Sequence, residues 1–177
     1  MKKTTLRTVL TVLLVAFLSY QPVSARELFG NAQAEKGTLA IVRSSETLAV
    51  NTQEPAEIQK NDLLIVGSDS LIIWQVDQDT SLQLGSNAVL MLRAWSRAGS
   101  SGYLNLSYGI AKVQLQASEG SSDPVVLKTP SAIVRLSGSA WIQVVSSGST
   151  MVKVLTGESK ISNLVGEAQS VATDSLA

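Results

Sequence analysis

The chain contains no cysteine and no histidine. Without cysteine no disulfide can form, even in an oxidising compartment. Without histidine the most common general base is missing, and the two absences together remove the usual zinc ligands. Aromatic residues are scarce, with three Trp, three Tyr and two Phe, so each tryptophan calls for its own account. Fourteen basic residues balance 14 acidic ones, which gives no reason to expect nucleic acid or an anionic membrane as partner. After residue 25 there is no sustained 3.6-residue apolar stripe, so the periodicity of helices is missing as well.

What is present begins with a leader. Lys2, Lys3 and Arg7 precede the apolar residues 9–18, and Val23-Ser24-Ala25 offers a small-residue cleavage site before Arg26. Residues 1–25 therefore read as a secretory signal peptide cut between Ala25 and Arg26. A retained membrane anchor is the alternative, but the apolar run is shorter than the ~20 residues a spanning helix needs, and Pro22 follows it closely. Cleavage leaves 152 of the 177 residues, with 11 basic against 14 acidic residues and a net charge of −3. That length supports one domain with a sizeable core. The short leader with paired lysines looks bacterial and points to the periplasm or the cell exterior, with no stable membrane span after cleavage.

The plan of the exported chain is clearest over residues 61–92. Three apolar runs are cut by Gly67-Ser68-Asp69, by residues 77–81 and by Gly85-Ser86-Asn87. Gly and Asn accept the positive φ of tight turns, and Asp and Ser hydrogen-bond turn backbone. In the middle run Ile72, Trp74 and Val76 share one face, with Leu71 and Ile73 on the other. A period of two with two apolar faces predicts a strand covered on both sides. Further strands are expected at residues 38–42, 47–50, 103–116, 124–128, 132–136, 141–145, 151–155 and 160–162. Residues 26–36 read as a loose N-terminal lead-in, and residues 51–60, with Pro55, as a loop or sheet edge. Residues 93–102 and 117–123 read as loops, and the polar residues 167–177 as a fraying end, of which 172–177 form a flexible tail.

One internal similarity stands out. Leu104, Leu106, Gly109, Lys112 and Val113 recur as Val152, Val154, Gly157, Lys160 and Ile161. Each copy is an alternating strand, a glycine corner and a second strand. Two copies fall short of the three that define a solenoid, yet stacked layers burying a shared core follow if the likeness is structural. The expected fold is all-β, with stacked short strands in a β-solenoid-like or β-helix-like arrangement; the alternative is a β-sandwich.

Candidate chemistry is thin. Trp74 and Trp141 sit in alternating apolar strands and are expected in the core. Arg93, Trp95 and Arg97 place an indole between two guanidinium groups. They form either a recognition knob or a solvent-facing strand whose arginine stems cover the ring. Asp69, Asp77 and Asp79 lack the Gly and Glu spacing of a calcium loop and read as turn residues. The Ser-rich turns have only lysines for a base, and Lys112, Lys128, Lys153 and Lys160 lie on strands, so no nucleophile–base pair is supported. Paired carboxylates for glycoside cleavage depend on the fold. The expectation is a protein that is not an enzyme, with no cofactor and no metal.

Residues 128–144, KTPSAIVRLSGSAWIQV, resemble the most characteristic motif of the FecR domain family, in which a Thr-Pro and alternating apolar positions precede a turn and an aromatic strand. Thr129-Pro130, Ala132, Val134, Leu136, Gly138, Ser139 and Trp141 occupy those places. Asn61-Asp62, Ile65, Ser68 with Ser70, Asp79-Thr80-Ser81 and residues 82–85 are similar to the family's Gly-Asp corner and its Leu-x-Leu-Gly. The two strand-Gly-strand units and Gly166 with Gln169 complete the order, over residues 37–171. Asn61, Thr80 and Ser137 depart from the usual Gly, Gly and Arg, all at turns. The resemblance implies an all-β domain of stacked strands. Its best-known members are envelope signalling regulators that join a cytoplasmic sigma-factor-binding segment, a membrane helix and this domain. Only seven residues precede Thr8, so the expectation is a stand-alone exported FecR-like domain.

Function is therefore expected to be non-catalytic: a protein-interaction or sensing module of the bacterial envelope with an envelope protein as partner, linked to signalling. The alternative is a structural or cell-wall-glycan-associated module. The candidate binding residues are Arg93, Trp95 and Arg97.

Overall fold

The computed structural model describes residues 27–44, 46–51, 54–96, 101–116 and 125–173, with only the backbone of Trp95, Ser96 and Ser101. Within them the regular elements are 15 β-strands, joined in one open hydrogen-bonded array. The array divides into two sheets that share one long strand. The front sheet runs β4 (Ala56–Gln59), β1 (Leu28–Lys36), β6 (Leu71–Gln75), β7 (Thr80–Leu84), β9 (Ser101–Leu115), β12 (Ala140–Val144) and β13 (Thr150–Val154). The back sheet runs β3 (Glu46–Val50), β2 (Leu39–Arg43), β5 (Leu63–Val66), β8 (Val89–Ser96), β9 again, β10 (Val125–Lys128), β11 (Ala132–Leu136), β14 (Glu158–Asn163) and β15 (Ala168–Ala172).

β9 crosses between the sheets at Gly109. Its residues up to Tyr108 pair with β8, and those from Gly109 onward pair with β12. The corner needs glycine for two reasons. Its φ is +93°, and a Cβ there would lie 2.5 Å from the Ala88 Cα. Alternate residues of both sheets enter one core: Ile41, Leu64, Leu90 and Leu104 from the back sheet, and Ile72, Trp74, Leu82 and Ile142 from the front. Period-two alternation gives each strand one apolar face, and burying it supplies the main stabilisation.

The chain advances along both sheets as it crosses between them, so short strands stack as expected. The stack differs from a regular coil because hairpins reverse the chain within a sheet, and every pairing except β9 with β10 is antiparallel. The corners stack too. Ser70 Oγ accepts from Thr38 N at 3.0 Å and donates to Ser68 O, while Ser86 Oγ accepts from Ser70 N at 3.2 Å. Ser139 Oγ likewise accepts from Leu115 N at 3.1 Å. These serines satisfy backbone groups that no strand partner reaches.

The two copies of the internal similarity are both strand–corner–strand units with positive φ at Gly109 and Gly157. They cross in opposite senses, the first from back to front and the second from front to back. A closer repeat lies elsewhere. Strand β5, the hairpin β6–β7 and strand β8 follow the same back-front-front-back path as β11, the hairpin β12–β13 and β14.

Four expectations are corrected. Residues 28–36 are not a loose lead-in but strand β1, hydrogen-bonded on both sides, with Phe29, Ala32 and Ala34 buried. The C-terminal residues 168–172 pair with β14 as β15 and bury Val171. The loop expected at residues 93–102 is mostly strand, since Ala94, Trp95 and Ser96 pair with Tyr103, Gly102 and Ser101. Leu71 and Ile73 are only half-buried, so β6 is covered on one face. Residues 51–60 do contribute a sheet edge, strand β4.

Trp74 is fully buried, as its alternation implies, and its indole N–H donates to Phe29 O at 2.8 Å. That carbonyl is presented by an irregular register in β1 at Gly30, where φ is +80° and a Cβ would fall 1.9 Å from Gln75 O. Asp62, fully buried before β5, accepts from Arg43 Nε at 2.8 Å and Nη2 at 2.7 Å and from Gln59 N at 2.8 Å. The bidentate pair fastens the end of β2 to the β4–β5 turn.

Candidate functional site

Trp141 is the exception to the expected core. Ala140, Ile142 and Val144 point inward from β12, so Trp141 and Gln143 point outward, and the indole is 38% exposed. Register then decides its neighbours. Trp141 lies opposite Lys112 of β9 on one side and opposite Lys153 of β13 on the other. Lys112 Nζ stands 5.5 Å from the ring centroid, within cation–π range. A shallow groove of about 390 Å³ runs beside the ring, lined by Ile110, Trp141, Gln143, Met151 and Lys153. Among the described residues the ion pairs are Arg43–Asp62 and Lys60–Glu27, so neither Lys112 nor Lys153 has a carboxylate partner there.

The rest of the outer front face is rich in side-chain amides. Gln33, Ile73, Gln83, Lys112, Trp141 and Lys153 form one continuous row across six strands. Asn31, Gln75, Ser81 and Gln114 form the next. Gln83 Nε2 donates to Gln114 Oε1 at 3.2 Å, which leaves the Gln83 carbonyl and the Gln114 amino group free for a ligand. At the far end of the same face a second groove, about 370 Å³, is lined by Asn31, Gln33, Glu35, Pro55, Ile73 and Gln75.

The residues singled out from sequence lie elsewhere. Arg93 is exposed on the back sheet, at an irregularity where Leu92 pairs with Leu104 and Ala94 with Tyr103. Its Nε lies 3.2 Å from the Asn105 amide oxygen in the orientation that satisfies both groups. The backbone of Trp95 pairs with Gly102, while its side chain, together with Arg97, Ala25 and Arg26, lies outside the described residues. Asp77 Oδ1 accepts from Asp79 N at 3.0 Å and Asp69 adopts φ 52°, which is turn chemistry. Among the described residues no group of three acidic or metal-ligating side chains converges.

Sequence reasoning missed the Lys112–Trp141–Lys153 triad. One signal was available: Trp141 shares its parity with Gln143, which marks an outward face. The two lysines could not be found that way, because long-range register alone brings them alongside.

The sequence matches no protein-family model and no curated protein. Two crystal structures of a candidate anti-sigma factor from Parabacteroides distasonis are similar to this chain, each with a TM-score of 0.53 and 15% identity. The likeness covers 64% of this chain and 52% of theirs, so the chain spans about half the length of that protein. At that identity what the two share is the fold: a stack of short strands.

Proposed function

We propose that the protein is an exported, non-catalytic module of the bacterial envelope that recognises another envelope protein and takes part in signalling, as a FecR-like domain. The observation that carries this reading is the fold shared with a candidate anti-sigma factor, and the order of FecR-like motifs over residues 37–171 supports it. The open sheet edges offer the means. β13 is a five-residue edge strand without proline, paired to β12 in unbroken register, and among the described residues no strand pairs its other side, so its outer backbone groups can take up a partner strand. Photo-crosslinking from position 151, in cells carrying the full chain, tests the reading. The expected result is a discrete adduct with one envelope protein, lost when Val152→Pro removes β13 as a template. Adducts only with other copies of the chain, or none with protein, would overturn it.

A further inference from the structure

We propose that the groove beside Trp141 is a binding site for an anionic glycan, with sugar carboxylates held by Lys112 and Lys153. The proposal does not rest on the protein-partner reading, since it uses side chains on the outer face of the front sheet, two of them on β13, and not the backbone edge of that strand.

Three observations converge. First, a large aromatic side chain is exposed on a flat sheet face, where its ring can take the apolar C–H face of a pyranose. Secondly, the two lysines that flank it in register have no carboxylate partner among the described residues. Two like charges held beside one ring, in a chain of formal net charge zero, favour an anion bound between them. Thirdly, the surrounding polar groups are amides. Gln143 lines the groove, Gln83 stands in the row of Trp141 and Gln114 in the next, and among the described residues that pair leaves one acceptor and one donor unused. Amides read hydroxyl groups well because each offers both a donor and an acceptor.

An acidic peptide would satisfy the lysines, but it gains most from the unpaired backbone edge of β13, whereas Trp141 stands on β12, which is paired on both sides. The polyhydroxyl ligand uses the amide rows as well as the charge. Met151 and Ile110 add apolar lining to the groove.

Calorimetric titration of the full chain with oligogalacturonate, a linear hexuronate, tests this directly. Maltohexaose serves as the neutral comparison and poly-glutamate as the acidic peptide. The expected result is saturable binding of oligogalacturonate, weakened about tenfold or more by Trp141→Ala and by Lys153→Glu, and reduced by added salt. Maltohexaose should bind about tenfold more weakly or not at all. Both substitutions are at exposed positions, and a cooperative melt whose midpoint falls by no more than a few degrees verifies folding. Equal affinity for the neutral glycan, tighter binding of poly-glutamate, no binding at millimolar ligand, or binding indifferent to Trp141→Ala would each overturn the proposal. Lys112→Met, which keeps an unbranched apolar side chain of similar length, separates charge from packing: it should weaken the uronate and shift the melting curve little.

Discussion

The hairpins β6–β7 and β12–β13 are built to one plan and use their tryptophans in opposite ways. Each hairpin lies in the front sheet, is entered from a back strand and returns to one. Each places alternate apolar residues in the core: Ile72, Trp74, Leu82 and Leu84 in the first, Ala140, Ile142, Val152 and Val154 in the second. Trp74 sits at an inward position and Trp141 at an outward one. The first hairpin is therefore anchored by a buried indole, while the second fills its inner positions with smaller residues and presents its indole to solvent. Parity within the strand, not residue type, separates an anchor from a binding surface. The surrounding charges follow the same division. Residues 27–79 hold nine carboxylates and three cations, whereas residues 80–177 hold seven cations and five carboxylates. The groove beyond β6 accordingly carries Glu35, and the groove beside β12 carries lysine.

The sharpest test of the contrast is Trp74→Ala. Removing a fully buried indole should cost about 3–5 kcal/mol, and Phe29 O loses its donor as well. Denaturant titration should show the loss as a lowered midpoint. Trp74→Phe keeps one aromatic ring but removes the N–H and part of the volume, so its smaller loss sets an upper bound on the share of the hydrogen bond. If Trp74→Ala cost no more than a surface change, the first hairpin would not be an anchor.

Next in size comes the residue that opens each unit. Asp62 precedes β5, and Asp62→Ala would strand Arg43 without its bidentate acceptor and Gln59 N without its partner. The expected loss is about 3 kcal/mol. Asp62, hydrogen-bonded to the guanidinium, raises Arg43 above its ordinary value. For a cation raised on folding, the stabilisation is complete below the unfolded-state value and declines only as pH climbs through the folded one. The cost attributable to Arg43 should therefore not vary from neutral to moderately alkaline pH, and chemical denaturation across that range would check it. Before β11 the corresponding place is held by Thr129, also buried. Its Oγ1 accepts from Ala132 N at 2.9 Å, donates to Ala132 O and lies 2.6 Å from Thr150 Oγ1. Thr129→Val keeps the shape and removes a neutral hydroxyl, for an expected loss of about 1–2 kcal/mol. A larger effect than that of Asp62→Ala would reverse the ranking of the two units.

Much of this architecture is legible in the sequence, and the failures have physical causes. Strands β5 to β8 declare themselves because branched and large apolar residues alternate between Gly, Asn and Asp corners. β1 is hidden because the irregularity at Gly30 breaks its period, and its inner positions Ala32 and Ala34 carry a weak apolar signal. β15 offers Val171 alone as a buried apolar residue. Tight spots such as Gly109 against Ala88 depend on pairing that no local stretch encodes. The candidate site suffered most. Arg93, Trp95 and Arg97 are neighbours in sequence and so drew attention, whereas Lys112, Trp141 and Lys153 become neighbours only through the registers of β9, β12 and β13.

The smallest expected stability effect belongs to Trp141→Ala, and its smallness is informative. The indole is more than a third exposed, and a cation–π contact with Lys112 ties it to the neighbouring strand. Such a contact at an exposed site is worth about 0.5–1 kcal/mol, so the thermal midpoint should move by only a few degrees. Set beside Trp74→Ala, this would separate the two tryptophans several-fold in stability although their hairpins share one plan. A loss as large as that at Trp74 would mean that the outer face is held by Trp141 as a structural cover, and the ring would then be a poor platform for a ligand. A small loss leaves an exposed indole between two unpaired cations, in a fold whose stability does not require it.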